Sequence, residues 1–450
     1  MKNNRIASVG VCVALMGTPS LLWSKTLNVV RDFGADKTGA TYATDNIQKA
    51  IDACNAGDTL LIPPGKYLLN NGLTLKSDMT LNLASNALLQ ANTDGVWLKS
   101  RSHIIHGKGV RNVTIEGGGA IDGGGLVYKR NKGIQPGRGI QFEDSSNITL
   151  RDLKVSNIPT FGVDFQKSEN LTIDSLTIRG QGFNNLLGSS DGLDIEGCAH
   201  VRISNCDIEV GDDALCLKTS APGFPCHDIR ARDCTLATTC NAFKIGTNTL
   251  SDFYDIVAEN IVVNKHSDPG KGNPVPSGDC IAAICIESND HASTLDVICR
   301  NFKINSCYSP IFIELQNRQS KAKGDIGSLE NILIENVNCL NAIQPIIFNW
   351  EPGEPKKIKN VTLSNIAVQN YGKEAGKDLS PMKGAYPDAH NNNGIANAYG
   401  IWARGVDGLK LKSMNFYDRG ESKRQKMYFE PGSVENVDVS AISAPAAKLK

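Results

Sequence analysis

The sequence has few aromatic residues and no excess of either charge. Aromatic residues make up 6% of its 450 residues, and 47 Lys and Arg balance 47 Asp and Glu. The lack of a basic stripe or a charged tail argues against nucleic acid as a partner. Few aromatics together with 43 glycines are typical of many short strands and tight turns rather than of a large helical core.

Long apolar runs are also missing, because no stretch after residue 24 could span a bilayer. Residues 1–24 predict an export signal, in which Lys2 and Arg5 precede an apolar run and Pro19 breaks it. The alternative, a membrane anchor, needs about 20 uninterrupted apolar residues. We therefore expect a periplasmic or secreted protein that has no membrane contact after signal removal, with one domain over residues 25–450.

Cysteine is frequent, and 13 cysteines in an exported protein suggest disulfides. The position of Cys206 and Cys234 in their segments is, however, filled by Ile261 and Phe302 in other segments. A position that accepts either Cys or a hydrophobic residue is an interior packing position. We expect these thiols to be free and buried, and leave a few disulfides open elsewhere.

An internal repeat runs through most of the chain. Each copy starts with Asn, Asp or an equivalent residue and continues with apolar residues at alternating positions; copies begin roughly 23 to 48 residues apart. One copy holds two or three short strands and cannot bury its apolar side alone, so the copies must stack. A propeller, with blades of about 40–45 residues, fits the short spacings badly. The predicted fold is all-β, a single-stranded right-handed parallel β-helix. The copies begin at Asn112, Asn147, Asn170, His200, Asp228, Asp255, Asp296, Asn331, Asn360, Gly408 and Asn436.

Two kinds of segment depart from this repeat. Residues 44–56 have the period of a short amphipathic helix, with Thr44 or Asp45 as N-cap, and this helix is predicted to cap the N-terminal end of the β-helix. Insertions at residues 268–280 and 371–399 lengthen two repeats. Loops on one side of a solenoid commonly build its binding face, so the insertions are candidates for that role.

Acidic residues precede two similar strand-like runs, residues 192–195 and 214–217. Asp191 stands before the first run, and Asp212 and Asp213 stand before the second. Aligned repeats place Asp191 and Asp213 on neighbouring rungs about 4.8 Å apart. Close carboxylates repel each other, which keeps one of them protonated near neutrality and supplies both an acid and a base. The alternative, acids that only keep the surface soluble, is less favoured because the three converge by register.

The same alignment adds four candidate ligands for a substrate. Lys218 and Lys244 lie on neighbouring rungs, where they would offset the negative charge or hold an anionic group of the substrate. Asn241 aligns with the acidic strand entrances, and Glu287 shares an outward column with Lys218.

The stretches SSDGLDIEGC and GDDALCLK are similar to the Asn-Thr-Asp-Gly and Asp-Asp motifs of glycoside hydrolase family 28, the polygalacturonase family of right-handed β-helices. The opening VVRDFGADKTGATYATDNIQKAIDAC resembles the N-terminal segment of the wider pectin-degrading β-helix group. The resemblance implies that Asp212 is the general acid. It also implies that Asp191 and Asp213 activate water in an inverting hydrolysis without a metal or other cofactor.

The sequence departs from the family pattern at the residues that bind uronate. Asn241 stands where the family has the histidine of its Gly-His-Gly motif, and residues 283–287 lack both cations of its Arg-Ile-Lys motif. In the family those cations hold a galacturonate carboxylate, and Lys244 is a candidate for part of that role. Arg318 and Arg404 are further candidate cleft residues.

We therefore predict an exported inverting glycoside hydrolase that acts on a pectic poly- or oligosaccharide of galacturonate or rhamnogalacturonan type, as a monomer. One alternative is a polysaccharide lyase on the same scaffold, with Lys218 or Lys244 as the base and Ca²⁺ held by the acids. Another is a non-catalytic glycan-binding β-helix, because the histidine, arginine and lysine of the family are absent.

Overall fold

The computed structural model describes residues 24–92, 103–125, 137–180, 190–268, 275, 279–318, 326–374, 376–380, 386, 388–392 and 394–442. The predicted export signal, except Ser24, and most of the insertion at residues 268–280 lie outside the described residues. Within the described part, no helix has the length and apolar character needed to cross a membrane.

The described residues form one α-helix, α1 (Thr44–Ala53), and 32 β-strands that hydrogen-bond into one continuous sheet. The strands of the first half are β1 (Thr26–Asn28), β2 (Thr38–Tyr42), β3 (Thr59–Ile62), β4 (Gly65–Leu69), β5 (Leu73–Thr74), β6 (Met79–Leu83), β7 (Ala87–Ala91), β8 (His103–Lys108), β9 (Arg111–Glu116), β10 (Ala120–Asp122), β11 (Arg138–Glu143), β12 (Ser146–Ser156), β13 (Phe161–Gln166), β14 (Glu169–Arg179), β15 (Asp191–Glu196) and β16 (Ala199–Ser204).

The strands of the second half are β17 (Asp207–Val210), β18 (Leu215–Thr219), β19 (Cys226–Arg232), β20 (Thr235–Thr238), β21 (Asn241–Thr249), β22 (Phe253–Asn264), β23 (Cys280–Ser288), β24 (Thr294–Ile304), β25 (Cys307–Leu315), β26 (Leu329–Ala342), β27 (Ile346–Trp350), β28 (Ile358–Asn370), β29 (Ala398–Ala403), β30 (Val406–Asp418), β31 (Gln425–Phe429) and β32 (Glu435–Ile442).

The strands pair in parallel with the strands one turn further along the chain. One stack runs from β13 through β15, β18, β21, β23 and β25, and a second from β14 through β16, β19, β22, β24 and β26. Parallel strands linked in this way, turn after turn, form the right-handed parallel β-helix that the repeat predicted.

The predicted register of the first stack is confirmed. The side chains predicted to point inward occupy equivalent positions on successive turns and are fully buried, so they form the apolar interior of the β-helix. These residues are Phe165, Ile195, Leu217, Ile245 and Ile286.

The first residue of each repeat marks a corner of the β-helix. At this corner the backbone is left-handed, with φ of 56° at Asn147 and 62° at Asn331. Asn and Asp tolerate this conformation better than other residues with a side chain, which explains why they recur there. The corner side chains also form a ladder, since Asn147 Nδ2 donates to Asn112 Oδ1 (2.9 Å) and Asn331 Nδ2 to Asp296 Oδ1 (3.0 Å).

Helix α1 packs its apolar face into the same core as the first turns, as expected of a cap. It ends at Ala53, earlier than the predicted residue 56. The prediction of Thr44 or Asp45 as N-cap was wrong, because Ala43 holds that position without a side-chain bond. The hydroxyl of Thr44 instead accepts a hydrogen bond from Asn70 N (3.0 Å), which ties the helix to the next turn.

The twelve cysteines of the described residues are all free thiols, and only Cys240 among them is more than marginally exposed. Cys206 and Cys234 are each 1% exposed, at the interior position that sequence analysis assigned to them. The prediction of free, buried thiols is confirmed for this part of the chain.

We expect the native protein, prepared without reductant, to react with iodoacetamide at about one thiol or none, because packing excludes the reagent. In guanidinium all twelve described cysteines should react. Intact mass before and after unfolding counts the labels. A denatured protein that takes up two or more labels fewer would reveal a disulfide and contradict the structure.

Candidate active site

The two acidic strand entrances lie side by side on the outer face of the β-helix. Asp191 is the first residue of β15, Asp213 lies in the turn before β18, and these two strands pair in parallel. Gly192 N donates to Asp213 O (2.9 Å). A Cβ on Gly192 would lie 2.4 Å from Ala214 O, so a glycine is needed where the two turns come this close.

Asp212 has the properties of an acid at neutral pH. Burial raises the pKa of its carboxyl to about 7, and the charges of Asp191 and Asp213 add to the effect. Its Oδ1 accepts a hydrogen bond from the backbone N of Asp213 (3.0 Å). Asp212 is therefore protonated over the acidic range and up to about neutral pH.

Asp213 has the opposite character. Burial acts to raise its pKa, but Lys244 and Lys218 outweigh that effect and lower it. Lys244 Nζ lies 3.3 Å from Asp213 Oδ2, and Asn241 Nδ2 donates to Asp213 Oδ1 (3.0 Å). Two adjacent aspartates thus have pKa values pushed in opposite directions, which is the arrangement that an acid and a base require.

Asp191 is held by Lys218, which corresponds to one of the two roles that sequence analysis left open for this lysine. Lys218 Nζ lies 2.5 Å from Asp191 Oδ2 and 2.7 Å from Asp194 Oδ1. Burial raises the pKa of Asp191 more than Lys218 lowers it. Lys218 therefore offsets the charge of two carboxyl groups, and the charge of Lys218 is balanced without a substrate.

Lys244 lies inside the protein and not on the cleft surface. Its side chain is fully buried, and its Nζ lies between Asp213 and Asp388, 3.7 Å from Asp388 Oδ1. Asn241 is also fully buried and donates from Nδ2 to the same Asp388 oxygen (3.1 Å). The prediction that Lys244 and Asn241 bind substrate directly is corrected, because both side chains hold aspartates in place.

Asp388 is a site residue that sequence analysis missed. It belongs to the insertion at residues 371–399 and directly precedes a 3-10 helix, Ala389–Asn392. A second apolar cluster outside the β-helix, which includes Leu379, Phe312 and Trp402, fixes this insertion against the outer face of the stack. The repeat register does not extend into loops, so the sequence indicated only that the insertion is a candidate for the binding face.

Glu287 and Arg404, two predicted substrate ligands, are engaged elsewhere. Glu287 is fully buried, accepts from Asn289 Nδ2 (2.8 Å), and burial raises its pKa to about 7. Arg404 Nε lies 2.8 Å from Glu430 Oε1, and its Nη2 donates to Leu379 O (3.0 Å). The structure corrects both assignments, since neither side chain is exposed to a ligand from solvent.

A cavity of about 270 Å³ opens beside β15 and β18. Arg318, the last predicted ligand, borders it, because its Nη2 donates to the cavity residue Asn248 (Oδ1, 3.0 Å) and pairs with Asp290 (3.1 Å). The lining residues that carry charge or an aromatic ring are Arg138, Phe161, Asp164, Asp194, Glu196, Lys218 and Tyr386.

One group of side chains has the donor types and spacing for a metal ion. Asp212, Asp213 and Cys240 each offer an atom within 4.8 Å of the others. The ammonium of Lys244 lies 3.3 Å from Asp213, however, and would repel a second cation. The mechanism below therefore uses the protein's own carboxyl groups.

Comparisons with known proteins show which sequences and structures resemble this chain. The family model "Glycosyl hydrolases family 28" matches residues 54–222, a range that includes all three aspartates. A probable rhamnogalacturonase A from Aspergillus niger is 24% identical over 239 residues, which cover 53% of this chain and 50% of that protein. A polygalacturonase from Persea americana is 26% identical over 208 residues, covering 43% and 44%. The chain spans about half the length of these two relatives.

Among solved structures, the family 28 exopolygalacturonase of Yersinia enterocolitica matches with a TM-score of 0.70 at 19% identity, covering 92% of this chain and 78% of that chain. This likeness shows the fold. Fold and site together define a right-handed parallel β-helix protein with a carboxyl-lined cleft. Over residues 54–222 the chain is similar to glycoside hydrolase family 28, and its fold is that of a solved family 28 exopolygalacturonase.

We expect Lys244→Met to lower the free energy of unfolding by about 3–5 kcal/mol, because Asp213 and Asp388 then lose their buried counter-ion. Adding Asp388→Asn should recover part of this loss, since it removes one of the two uncompensated charges. Denaturant unfolding of the single and double variants measures both effects.

The matched control is Lys265→Met, because Lys265 pairs with Asp279 at 3.1 Å but has a side chain 48% exposed. Its loss should cost no more than about 1 kcal/mol. The assignment would be contradicted if the two lysine variants lost the same free energy of unfolding. It would also be contradicted if the double variant were less stable than Lys244→Met.

Proposed function

We propose that this protein is an exported glycoside hydrolase that cleaves a pectic glycosidic bond, of galacturonate or rhamnogalacturonan type, with inversion of the anomeric centre. The observation that carries the proposal is the pair Asp212 and Asp213, one with a pKa of about 7 and the other with a lowered pKa. Such opposed pKa values in a cleft are the mark of acid–base catalysis.

In the proposed mechanism Asp212 donates its proton to the glycosidic oxygen as the bond to the anomeric carbon breaks. Asp213, assisted by Asp191, accepts a proton from a water molecule that attacks the anomeric carbon from the opposite side. The products are a reducing sugar and an alcohol, and the proton taken up by the base returns to Asp212 through solvent. Inversion follows because water attacks directly, with no covalent intermediate.

Lys244, Asn241 and Asp388 act as positioning residues in this mechanism. Asn241 and Lys244 both hold Asp213, and Asp388 holds the two of them in turn. This arrangement supplies a fixed, ionised base at the place where the family's histidine is absent.

The lyase alternative is less well supported. A lysine that abstracts a proton must be neutral. Burial lowers the pKa of Lys218 and Lys244, but the adjacent carboxylates outweigh it and raise both well above the usual value. Both lysines are therefore protonated. A protonated lysine can balance the charge of a carboxylate but cannot accept a proton as a base.

The non-catalytic alternative leaves the electrostatics of the site unexplained. A surface that only binds glycans gains nothing from placing three aspartates side by side, two of them buried, at a cost in stability. The relatives named as polygalacturonase and rhamnogalacturonase support a pectic carbohydrate as substrate. Residues 1–24 support export to the periplasm or beyond, and we propose a monomer that needs no cofactor.

We expect Asp212→Asn to lower kcat on pectic oligosaccharides by about 10²–10⁴-fold, because the general acid is lost. Digestion of a panel of pectic glycans, with the products identified by mass, measures the loss. The control is Asp207→Asn, an exposed aspartate on β17 that pairs with Arg179. Proton NMR in the first minutes should show a product of inverted configuration. The mechanism would be contradicted if Asp212→Asn turned over substrate as fast as the wild type, or if the first product had the same anomeric configuration as the substrate.

We expect activity to fall as pH rises through about 7, because Asp212 then loses the proton it must donate. The rate of hydrolysis as a function of pH measures this.

The raised pKa of Asp212 also predicts an effect on stability. A carboxyl whose pKa is raised on folding stabilises the native state below its unfolded pKa, and this contribution is lost as pH rises through the folded value. Asp212→Asn should therefore gain stability over the wild type at pH 8 and not at pH 4. A denaturant series at both pH values tests this, and no pH dependence of the difference would contradict it.

A further inference from the structure

We infer that the cavity beside the catalytic aspartates takes a neutral sugar ring and not a uronate. This inference rests on the proposed function only in taking a glycan as the ligand. It concerns the charge that the cavity offers to carbon 6 of that ring, which is a carboxylate in a uronate and an uncharged group in a neutral sugar.

The two cations that line the cavity are both held by the protein's own carboxylates. Arg138 Nε lies 2.5 Å from Asp164 Oδ2. Lys218 Nζ lies within 2.7 Å of both Asp191 and Asp194. Their charge is therefore already paired before a ligand enters.

Both cations also make cation–π contacts with an aromatic ring. The ring is that of Phe161, with Arg138 Cζ 4.8 Å and Lys218 Nζ 5.2 Å from the ring centroid. Contacts of this kind hold a cation against the ring face. They also keep both cations close to the cavity wall.

Carboxyl groups outnumber cations in the cavity wall. Arg138 and Lys218 face Asp164, Asp194 and Glu196 there, and Asp191 contacts Lys218 from outside the lining. Each cation has a carboxyl partner within 2.7 Å, and Glu196 adds a further carboxyl group to the wall. A uronate that enters the cavity would meet this excess of acidic groups.

The other basic groups near the site do not change this balance. Lys244 is buried between Asp213 and Asp388, and Arg318 at the border is paired with Asp290. In the part of the chain that the structure describes, every basic side chain that lines or borders the cavity is held by a carboxylate. Carboxylates that face a cavity are good acceptors for sugar hydroxyls, so a neutral polyol ring fits where a carboxylate is repelled.

The test compares ligands that differ only at carbon 6. Digalacturonate and its two singly carboxyl-reduced forms, in which one ring is galactose, are titrated into the Asp212→Asn variant by calorimetry. The products in the cell are analysed by mass after each titration, so that binding is compared only where no turnover has occurred and the result does not depend on the catalytic proposal. We expect one of the two reduced forms to bind at least about tenfold more tightly than digalacturonate.

Glu196→Gln is the diagnostic variant, because it removes one negative charge from the wall without removing a paired cation. In this variant the ratio of the affinities for the reduced ligand and for digalacturonate should fall about threefold or more. The matched control is Glu259→Gln, on β22, where Glu259 pairs with Arg300 away from the cavity. This variant should leave the difference unchanged.

The outcomes separate the two proposals. Equal or tighter binding of digalacturonate overturns the neutral subsite, even if hydrolysis occurs as proposed. Tight binding of digalacturonate that EDTA abolishes also overturns it, because a bridging divalent cation then serves the carboxylate. Preferential binding of a reduced form supports the neutral subsite. If the wild type bound that ligand but did not hydrolyse it, only the proposed hydrolase function would be contradicted.

Discussion

The contact between β15 and β18 is the constraint on which the rest of the site depends. Parallel strands on successive turns bring equivalent positions within about 5 Å, so the acidic entrances of the two strands must become neighbours. Gly192 permits this approach because a side chain there would collide with Ala214 O, 2.4 Å from a Cβ. The proximity of Asp191, Asp212 and Asp213 is thus a consequence of how the backbone stacks.

Three carboxyl groups at this spacing, two of them buried, repel each other, and the surrounding residues reduce the repulsion. Lys218 neutralises the Asp191 side and Lys244 the Asp213 side, while Asp212 is left without a cation in contact and has a raised pKa. The division of roles among three chemically identical groups therefore comes from where the two lysines lie. This is why a neutral acid and an ionised base can coexist within one small site.

The insertion at residues 371–399 changes how the site is built compared with the family pattern. Where the family has a histidine on the β-helix itself, this chain has Asn241, and Asp388 reaches in from the insertion to bind it. The apolar cluster around Leu379 and Trp402 pins the insertion to the β-helix. At this rung a side chain of the β-helix is therefore held by a contact from a loop. The loop can change independently of the core that sets the register.

The sequence by itself determined the repeat, the inward column from Phe165 to Ile286 and the convergence of the aspartates. Each of these follows from the local alternation of apolar and polar residues and from the Asn, Asp or equivalent residue that begins each copy of the repeat. Only the tertiary structure decided that Lys244 and Glu287 are buried, that Arg404 binds Glu430, and that Asp388 completes the site. The physical reason is that register says on which face of a strand a side chain lies, whereas loop packing against that face decides whether water or a ligand can reach it.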